Sequence, residues 1–241
     1  MIDITMTACR REEILRRTLE SFKKFLFGKT ECRLILNVDP VGDNVDSFHI
    51  VEVAKEYFPH IIANCPSKAS FPTAFKWCWE QVSAEFAFHL EDDWELAMPV
   101  SLLDMIFLMD KVPNLAVLRL PKWRTEEDKM KNWNKFFAWN GMYFECPSAE
   151  RASVGFCGHP SLIRGTFVKE TVPYLDVTTN PEKQFHYNRR IVQRILCYQY
   201  GVFADQNQPA AILEIGEKWK IQNGWGKKGS KAFFTEWQKT A

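Results

Sequence analysis

Three consecutive carboxylates, Glu91, Asp92 and Asp93, directly follow the apolar run at residues 86–90. A short, aromatic-rich run bounded by polar residues predicts a buried strand. Side chains just past the carboxyl end of such a strand lie where open α/β sheets bind ligands. Three adjacent negative charges repel one another and are costly to bury without a cation. This acidic motif therefore indicates a divalent metal ion that holds a phosphate, with a solvated acidic turn as the alternative.

The acidic motif ends the fourth in a series of predicted strands. Short apolar runs predict strands at residues 2–8, 33–38, 61–64 and 86–90. The segments between them carry apolar residues at helical spacing, and Pro72 is compatible with the first turn of one such helix. Because strand and helix alternate, we expect an α/β fold with a mostly parallel, Rossmann-like central sheet flanked by helices.

The second half of the chain has weaker patterns. Residues 121–147 are rich in Trp, Lys and Asn without a clear period, which suggests a long excursion over the site. A turn is expected at residues 155–160, where Gly and Pro cluster, and one long helix at residues 182–200.

Composition argues against several classes of protein. The chain has 241 residues, 46% of them hydrophobic and 25% charged, and a formal net charge of +1. This balance is typical of a globular protein and gives no overall field for a polyanion or polycation. The seven cysteines include no C-x-x-C pair, which favours free thiols in a reducing cytosol over a zinc site or a disulfide framework. With no signal peptide or long apolar run in view, we expect a cytoplasmic protein without a membrane segment.

Two further residues are candidates for ligand contacts. Asp39 ends the second predicted strand, so it would lie near the acidic motif if strands one, two and four are close. An acid in that position commonly binds a base or a ribose hydroxyl, although a turn-forming aspartate before proline is an equal alternative. His159 lies in the turn at residues 155–160 and is a candidate substrate contact, whereas His89 is expected to pack in the core.

A glycine-rich stretch near the C-terminus spells G-x-G-x-x-G at residues 224–229. No apolar strand directly precedes it, and no acidic partner follows about twenty residues on, so a dinucleotide site is not expected. A loop whose lysines approach a phosphate fits the composition better, with a solvated tail as the plainer alternative.

Three of these features match a known family. They are the opening at residues 5–10 (T-M-T-A-C-R), the strand ending N-V-D at Asp39, and the acidic motif after a strand. With them, the chain resembles GT-A-fold glycosyltransferases of the large family 2 type and its small phage and bacterial relatives. The resemblance covers about residues 1–120 and is looser at residues 150–220.

The resemblance implies transfer of a sugar from a nucleoside diphosphate donor, preferably a UDP-sugar, by a hexosyl- or pentosyltransferase of inverting type. In this family the first loop and the end of the second strand hold the nucleotide base, which maps onto Thr7, Arg10 and Asp39. The family's acidic motif binds ribose and a Mn²⁺ or Mg²⁺ ion that bridges the diphosphate. Here Glu91 and Asp92 would contact the nucleotide sugar and Asp93 the metal, although Glu91 departs from the family's usual D-x-D.

The resemblance also implies a catalytic base, because an attacking hydroxyl must lose its proton. In inverting members an Asp or Glu near the start of a later helix takes it. Glu182 is the best positional match and Asp176 the second, and an ordinary helix-start acid explains Glu182 equally well. Basic residues near the C-terminus are candidates for late contacts with the diphosphate: Lys218, Lys220, Lys227 and Lys228.

The acceptor is less defined. Residues 119–135 and 214–241 each hold six basic and three acidic residues and carry Trp. Such segments suit a nucleic acid, and Trp suits sugar rings equally. The resemblance to phage enzymes, which would act in the host cytoplasm, raises a modified (hydroxymethylated) DNA base as acceptor, with a glycan or a protein as the alternative.

We expect one domain, with a nucleotide-sugar-binding half at residues 1–120 and an acceptor-binding half with a C-terminal cover at residues 121–241. Two other classes stay open. A sugar-phosphate nucleotidyltransferase would share the sheet and the metal, but the loop after the first strand lacks the glycines such enzymes carry. A non-catalytic nucleotide or sugar binder is the other.

Overall fold

The computed structural model describes residues 1–122, 136–228 and 236–239. Its strands are β1 (Ile2–Arg10), β2 (Cys32–Gly42), β3 (Ile61–Asn64), β4 (Phe86–Glu91), β5 (Trp94–Leu96), β6 (Leu115–Arg119), β7 (Ala138–Trp139), β8 (Phe144–Cys146), β9 (Ser161–Arg164), β10 (Gln199–Val202), β11 (Ile212–Glu214), β12 (Trp225–Lys228) and β13 (Glu236–Lys239). Its α-helices are α1 (Glu12–Phe22), α2 (Ser47–Lys55), α3 (Phe71–Glu80), α4 (Leu102–Lys111), α5 (Arg151–Val154), α6 (Gly165–Thr171), α7 (Pro181–Tyr187), α8 (Arg189–Ile195) and α9 (Gly216–Gln222).

Nine of these strands form one central sheet in the order β3-β2-β1-β4-β9-β6-β10-β8-β7. β1 lies between β2 and β4 and is parallel to both, and β3 extends the parallel set beyond β2. β9 runs antiparallel between β4 and β6. The predicted α/β fold with a mostly parallel central sheet is therefore confirmed, and the carboxyl ends of β1, β2 and β4 meet at one edge.

Short polar side chains fix where the helices begin. Asp46 accepts a hydrogen bond from the backbone N–H of Phe48 at 3.1 Å, and Ser101 Oγ accepts one from Asp104 N–H at 3.2 Å. Each satisfies a donor that the first helical turn would leave unpaired. α1 continues into a π-helical turn, Lys23–Phe27, before Gly28 ends it with a φ of 50°.

β4 separates two aromatic clusters and thereby holds the acidic motif in place. On one face, the ring of Phe88 lies 5.9 Å from Phe22 and 5.3 Å from Phe27. On the opposite face, His89 packs against Phe75 and Phe156 at 5.3 and 5.5 Å. This burial on both faces makes the strand rigid up to the point where its carboxylates emerge.

His89 is a core residue, as the sequence predicts. It is 1% exposed, and its Nδ1 shares a 3.2 Å hydrogen bond with Thr5 Oγ1. Burial lowers the pKa of His89 to about 3, so the ring stays neutral at physiological pH.

The predicted helix at residues 182–200 is wrong in two places. Asn188 divides it into α7 and α8, since its side chain accepts from Arg190 N–H at 3.2 Å and caps the second helix. The segment beginning at Gln199 is β10, which pairs with β6 and β8. A helical spacing of apolar residues did not show either change, because the break is set by a polar N-cap residue and β10 by pairing with strands distant in sequence.

Much of the predicted excursion at residues 121–147 lies outside the described residues, namely 123–135. Of the part that is described, β7 and β8 form the edge of the central sheet. Two small sheets pair β11 with β5 and β12 with β13. Within the described ranges, no helix has the length and apolar character needed to cross a membrane.

Phe88→Ala should lower the free energy of unfolding by about 3–5 kcal/mol, because it leaves a cavity among well-packed aromatic rings. Phe107→Ala is the control, since Phe107 is 58% exposed and its loss should change stability by about 0.5 kcal/mol or less. Urea denaturation of both variants measures the difference. Equal losses in the two variants would contradict the packing role assigned to Phe88.

Candidate active site

A cavity of about 630 Å³ lies at the sheet edge where β1, β2 and β4 end. Parallel strands bring their carboxyl ends together, so residues distant in sequence meet there. Several residues singled out from the sequence line this cavity: Thr7, Asp39, Glu91, Asp92, Asp93, His159, Glu182 and Lys220. The expected proximity of Asp39 and the acidic motif is therefore found.

Asp39 is held in a defined orientation at the end of β2. Its Oδ1 accepts a hydrogen bond from Asn37 Nδ2 at 2.9 Å, and its Oδ2 accepts one from the backbone N–H of Ser70 at 3.1 Å. The side chain is 5% exposed. Burial, assisted by the charge of Asp92, raises its pKa to about 6 against the hydrogen bonds from Asn37 and Ser70.

Asp92, at the wall of the cavity, forms a buried ion pair with Arg11. Its Oδ2 accepts from Cys9 N–H at 2.9 Å and from Arg11 Nε at 3.2 Å, and its Oδ1 accepts from Arg11 Nη2. Arg11 and Asp92 side chains are each 3% exposed. Burial opposes the charge on Arg11, but the Asp92 carboxylate outweighs it and raises the pKa of the guanidinium. Asp92 is thus committed to holding β1 and β4 together.

Asp93 faces the cavity and is covered by the C-terminal part of the chain. Its side chain keeps 18% exposure and contacts Arg11 Nη2 through Oδ2 at 3.3 Å. Its carbonyl accepts a hydrogen bond from Ile215 N–H at 2.9 Å. A Cβ on Gly216 would lie 2.1 Å from Asp93 Oδ2, so glycine is needed for α9 to begin directly against this carboxylate.

Glu91 and Glu182 face each other across Gly158. A Cβ on Gly158 would lie 2.6 Å from Glu91 Oε1 and 3.4 Å from Glu182 Oε1. The backbone N–H of Gly158 donates to Glu182 Oε1. The turn predicted at residues 155–160 therefore brings two carboxylates from distant parts of the chain to the same side of the cavity.

The two candidate bases lie in different environments. Glu182 lies in the first turn of α7, where Asn180 Oδ1 accepts from its N–H at 2.9 Å, and it lines the cavity. Asp176 is exposed and is not among the cavity's lining residues. Hydrogen bonds from the Thr178 N–H and hydroxyl hold its carboxylate in a local turn and lower its pKa.

Arg11, and not the predicted Arg10, lines the cavity. Arg10 Nε donates to Ser47 Oγ at 2.9 Å, and Arg10 is not among the lining residues. Thr7, Ala8, Cys9 and Arg11 all line the cavity. Arg11 lies just past the end of β1 and directly before α1, where no sequence pattern distinguishes it from Arg10.

Of the remaining predicted substrate contacts, His159 lines the cavity and Lys218 lies on the surface. The ring of His159 packs edge-on against Trp94 at 5.2 Å. Burial together with the charges of Lys122 and Arg119 lowers the pKa of His159. Lys218 is exposed and lies outside the lining. The backbones of Lys227 and Lys228 belong to β12, but their side chains are not described.

The cavity carries more negative than positive charge. Its basic lining residues are Arg11, Lys68, Lys122 and Lys220, and its acidic ones are Asp39, Glu91, Asp92, Asp93, Glu182 and Glu214. A ligand with a phosphate group would thus meet a net repulsion unless a cation accompanies it.

A divalent ion fits the side of the cavity formed by Glu91 and Asp93. Both carboxylates line it, and Asp92 is held by the Cys9 N–H and Arg11. Among the described residues, no three His, Cys, Asp or Glu side chains converge as a cation site. An ion held by one or two carboxylates and by oxygens of a phosphate ligand needs no such group, and Mg²⁺ is commonly bound in this way.

The raised pKa of Asp39 predicts a pH-dependent stability. Between the ordinary aspartate value of 3.8 and about 6, the folded state keeps a proton that the unfolded state has lost. The free energy of unfolding contributed by this group should therefore fall as the pH rises through that window. Asp39→Asn should remove this fall, which urea denaturation at several pH values measures. A difference between wild type and variant that stays constant from about pH 4 to 7 would contradict it.

Comparison with known proteins supports the fold. No protein-family model matches the chain, and no curated protein matches its sequence. Among solved structures, S. aureus TarS 1–349 in complex with UDP-GlcNAc matches with a TM-score of 0.60 and 15% identity over 86% of this chain. The mannosyltransferase PcManGT from Pyrobaculum calidifontis, in complex with GDP-Man and Mn²⁺, matches with a TM-score of 0.53 and 10% identity over 92% of this chain.

The chain covers 57% of that TarS structure and 60% of the mannosyltransferase, so it spans less than two thirds of either. At these identities the likeness concerns the fold. The chain has the GT-A-type α/β fold of glycosyltransferases.

Proposed function

We propose that the protein transfers a sugar from a nucleoside diphosphate sugar to an acceptor hydroxyl, with a divalent metal ion. The observation that carries this proposal is that one cavity brings together Asp39, Asp93 and Glu182. In this proposal Asp39 binds the nucleoside, Asp93 binds the metal ion, and Glu182 takes the proton of the acceptor. The support from comparison is that structures of the same fold hold UDP-GlcNAc, or GDP-Man with Mn²⁺.

The nucleoside would lie over the ends of β1 and β2. Thr7 and Asp39 line this part of the cavity, and Asn37 and Ser70 fix the Asp39 carboxylate from behind. A carboxylate fixed in this way can accept hydrogen bonds from a base or a ribose hydroxyl with little loss of side-chain entropy on binding. A UDP-sugar is the preferred donor in this proposal.

The diphosphate would lie against Asp93 and Glu91. Because the lining has an excess of carboxylates, a donor with two phosphates needs a cation between itself and these side chains. Asp93 is the primary ligand in this proposal, with Glu91 beside it, and the ion is Mn²⁺ or Mg²⁺. When bound, such an ion supplies Lewis-acid stabilisation of the departing diphosphate.

Glu182 would be the catalytic base. The acceptor oxygen attacks the anomeric carbon, the bond from that carbon to the phosphate oxygen breaks, and the hydroxyl proton passes to a Glu182 carboxylate oxygen. The Gly158 N–H bond fixes this carboxylate and leaves its other oxygen for the acceptor. A single displacement of this kind inverts the configuration at the anomeric carbon.

The charge of the cavity favours a carbohydrate hydroxyl as acceptor over a modified DNA base. A nucleic acid would bring further negative charge to a lining that already has an excess of carboxylates. Of the two basic segments noted in the sequence, residues 123–135 and 229–235 lie outside the described residues. We place the donor in residues 1–120 and the acceptor, with a C-terminal cover, in residues 121–241.

Asp93→Asn should weaken binding of UDP in the presence of Mn²⁺ by about tenfold or more, because it removes a ligand of the ion that bridges the diphosphate. UDP binding in EDTA should change little. Isothermal titration calorimetry measures both. Glu95→Gln is the matched control, since Glu95 pairs with Arg17 at 2.5 Å and does not line the cavity. Unchanged Mn²⁺-dependent binding in Asp93→Asn would show that the metal is held elsewhere.

Glu182→Gln should reduce turnover by about 100-fold to 10,000-fold while donor binding persists, because glutamine can still accept from Gly158 N–H but cannot take a proton. Slow hydrolysis of UDP-sugars, read as release of UDP, measures turnover when water replaces the acceptor. Asp176→Asn is the control and should retain wild-type turnover. The reverse outcome, with activity lost only in Asp176→Asn, would transfer the role of base to Asp176.

A further inference from the structure

Arg11 places a positive charge inside the acidic motif itself. Its Nη2 contacts both Asp92 Oδ1 and, at 3.3 Å, Asp93 Oδ2. The side chain is 3% exposed, so water screens this charge weakly. A cation that binds at Asp93 must therefore share the carboxylate with a guanidinium already in contact with it.

Arg11 is also prevented from moving aside. Its guanidinium carbon lies 5.3 Å from the centre of the Trp219 ring in α9, and the bond from Nε to Asp92 is 3.2 Å. The position of α9 depends in turn on Gly216, which meets Asp93 directly. The Trp219 ring and the buried Asp92 carboxylate thus hold the guanidinium in place.

One donor of Arg11 is still unused. Its Nη1 is buried and has no hydrogen-bond partner among the described residues, although Arg11 lines the cavity. A buried donor without an acceptor is unfavourable. A phosphate oxygen that reaches this corner of the cavity would accept a hydrogen bond from Nη1. Its negative charge would also reduce the repulsion between Arg11 and a metal ion bound beside it.

Resting on the proposed function, we propose that Arg11 is a positioning residue that makes divalent-ion binding depend on the donor diphosphate. Without nucleotide, the Arg11 charge opposes an ion at Asp93. With nucleotide, the diphosphate compensates both cations, and ion and nucleotide bind with positive coupling. Asp92 serves this arrangement by holding Arg11 in place rather than by contacting the ion.

The test is an electron paramagnetic resonance titration of free Mn²⁺ with the full chain, in the absence and presence of UDP. Wild type should bind Mn²⁺ weakly alone and much more tightly with UDP. Arg11→Met should bind Mn²⁺ without UDP about tenfold more tightly than wild type, since it removes the positive charge that contacts Asp93. The increase in Mn²⁺ affinity that UDP causes should be smaller in this variant than in wild type.

Arg17→Met is the matched control. It removes an arginine from α1, the helix that begins directly after Arg11, and Arg17 pairs with Glu95, two residues beyond Asp93, at 2.5 Å. Arg17 is 47% exposed, so its loss should leave both Mn²⁺ affinities unchanged. An equal rise in Arg17→Met would mean that net charge alone is responsible, and it would overturn the proposal.

Arg11→Met leaves Asp92 buried without its partner and risks misfolding. The double variant Arg11→Met/Asp92→Asn removes both charges and still offers an acceptor to Cys9 N–H. It should also bind Mn²⁺ without UDP more tightly than wild type. A lower melting temperature with unchanged Mn²⁺ affinity, alone and with UDP, would mean that Arg11 is only structural and would overturn the proposal.

The two proposals fail differently. If UDP does not bind wild type at any Mn²⁺ concentration, the proposed function fails. The affinities for Mn²⁺ without UDP still decide whether Arg11 opposes the ion, and equal affinities in wild type and both variants overturn the inference.

Discussion

The buried ion pair between Arg11 and Asp92 is the interaction on which the candidate active site depends. It joins the end of β1 to the end of β4, and the Cys9 N–H completes it. Breaking such a pair by removing one partner typically costs about 3–5 kcal/mol. The same arginine contacts two acids of the motif, because its Nη2 bonds Asp92 Oδ1 and lies 3.3 Å from Asp93 Oδ2 at the cavity.

Segments from the second half of the chain complete the site around this pair. β11 pairs with β5 just beyond the acidic motif, and Ile215 and Gly216 close over Asp93. On the other side, the turn around Gly158 brings Glu182 to Glu91. Residues 1–120 and 121–241 therefore share the central sheet, since β9 and β10 from the second part pair with β4 and β6 from the first.

What could be predicted from the sequence was the part governed by local pattern and strand direction. Alternating strands and helices indicated the sheet, and the ends of two parallel strands placed Asp39 near the acidic motif. The sequence does not distinguish Arg10 from Arg11, because both lie at the junction of β1 and α1, and the fold decides which of them lines the cavity. The pairing of β10 with β6 depends on a partner far along the chain, which no local pattern specifies. The break at Asn188 is a local N-cap, which the apolar spacing used for the helix prediction does not register.

The different positions of Glu182 and Asp176 also depend on contacts that the sequence does not reveal. The sequence ranks Glu182 above Asp176 only by its position at the start of a predicted helix, which an ordinary helix-start acid explains equally well. Only the Gly158 backbone, brought close by the fold, places one at the cavity, while Thr178 holds the other at the surface. Likewise, the internal position of Asp92 follows from Arg11 and not from the spacing of the three acids.

The central claim is that this strand end holds a divalent ion between Asp93 and a diphosphate. The most direct measurement is ³¹P electron–nuclear double resonance of Mn²⁺ in the complex of the protein with UDP. The account predicts phosphorus hyperfine coupling from protein-bound Mn²⁺ in wild type that disappears in Asp93→Asn. Bound Mn²⁺ without phosphorus coupling, or coupling that survives in Asp93→Asn, would contradict it.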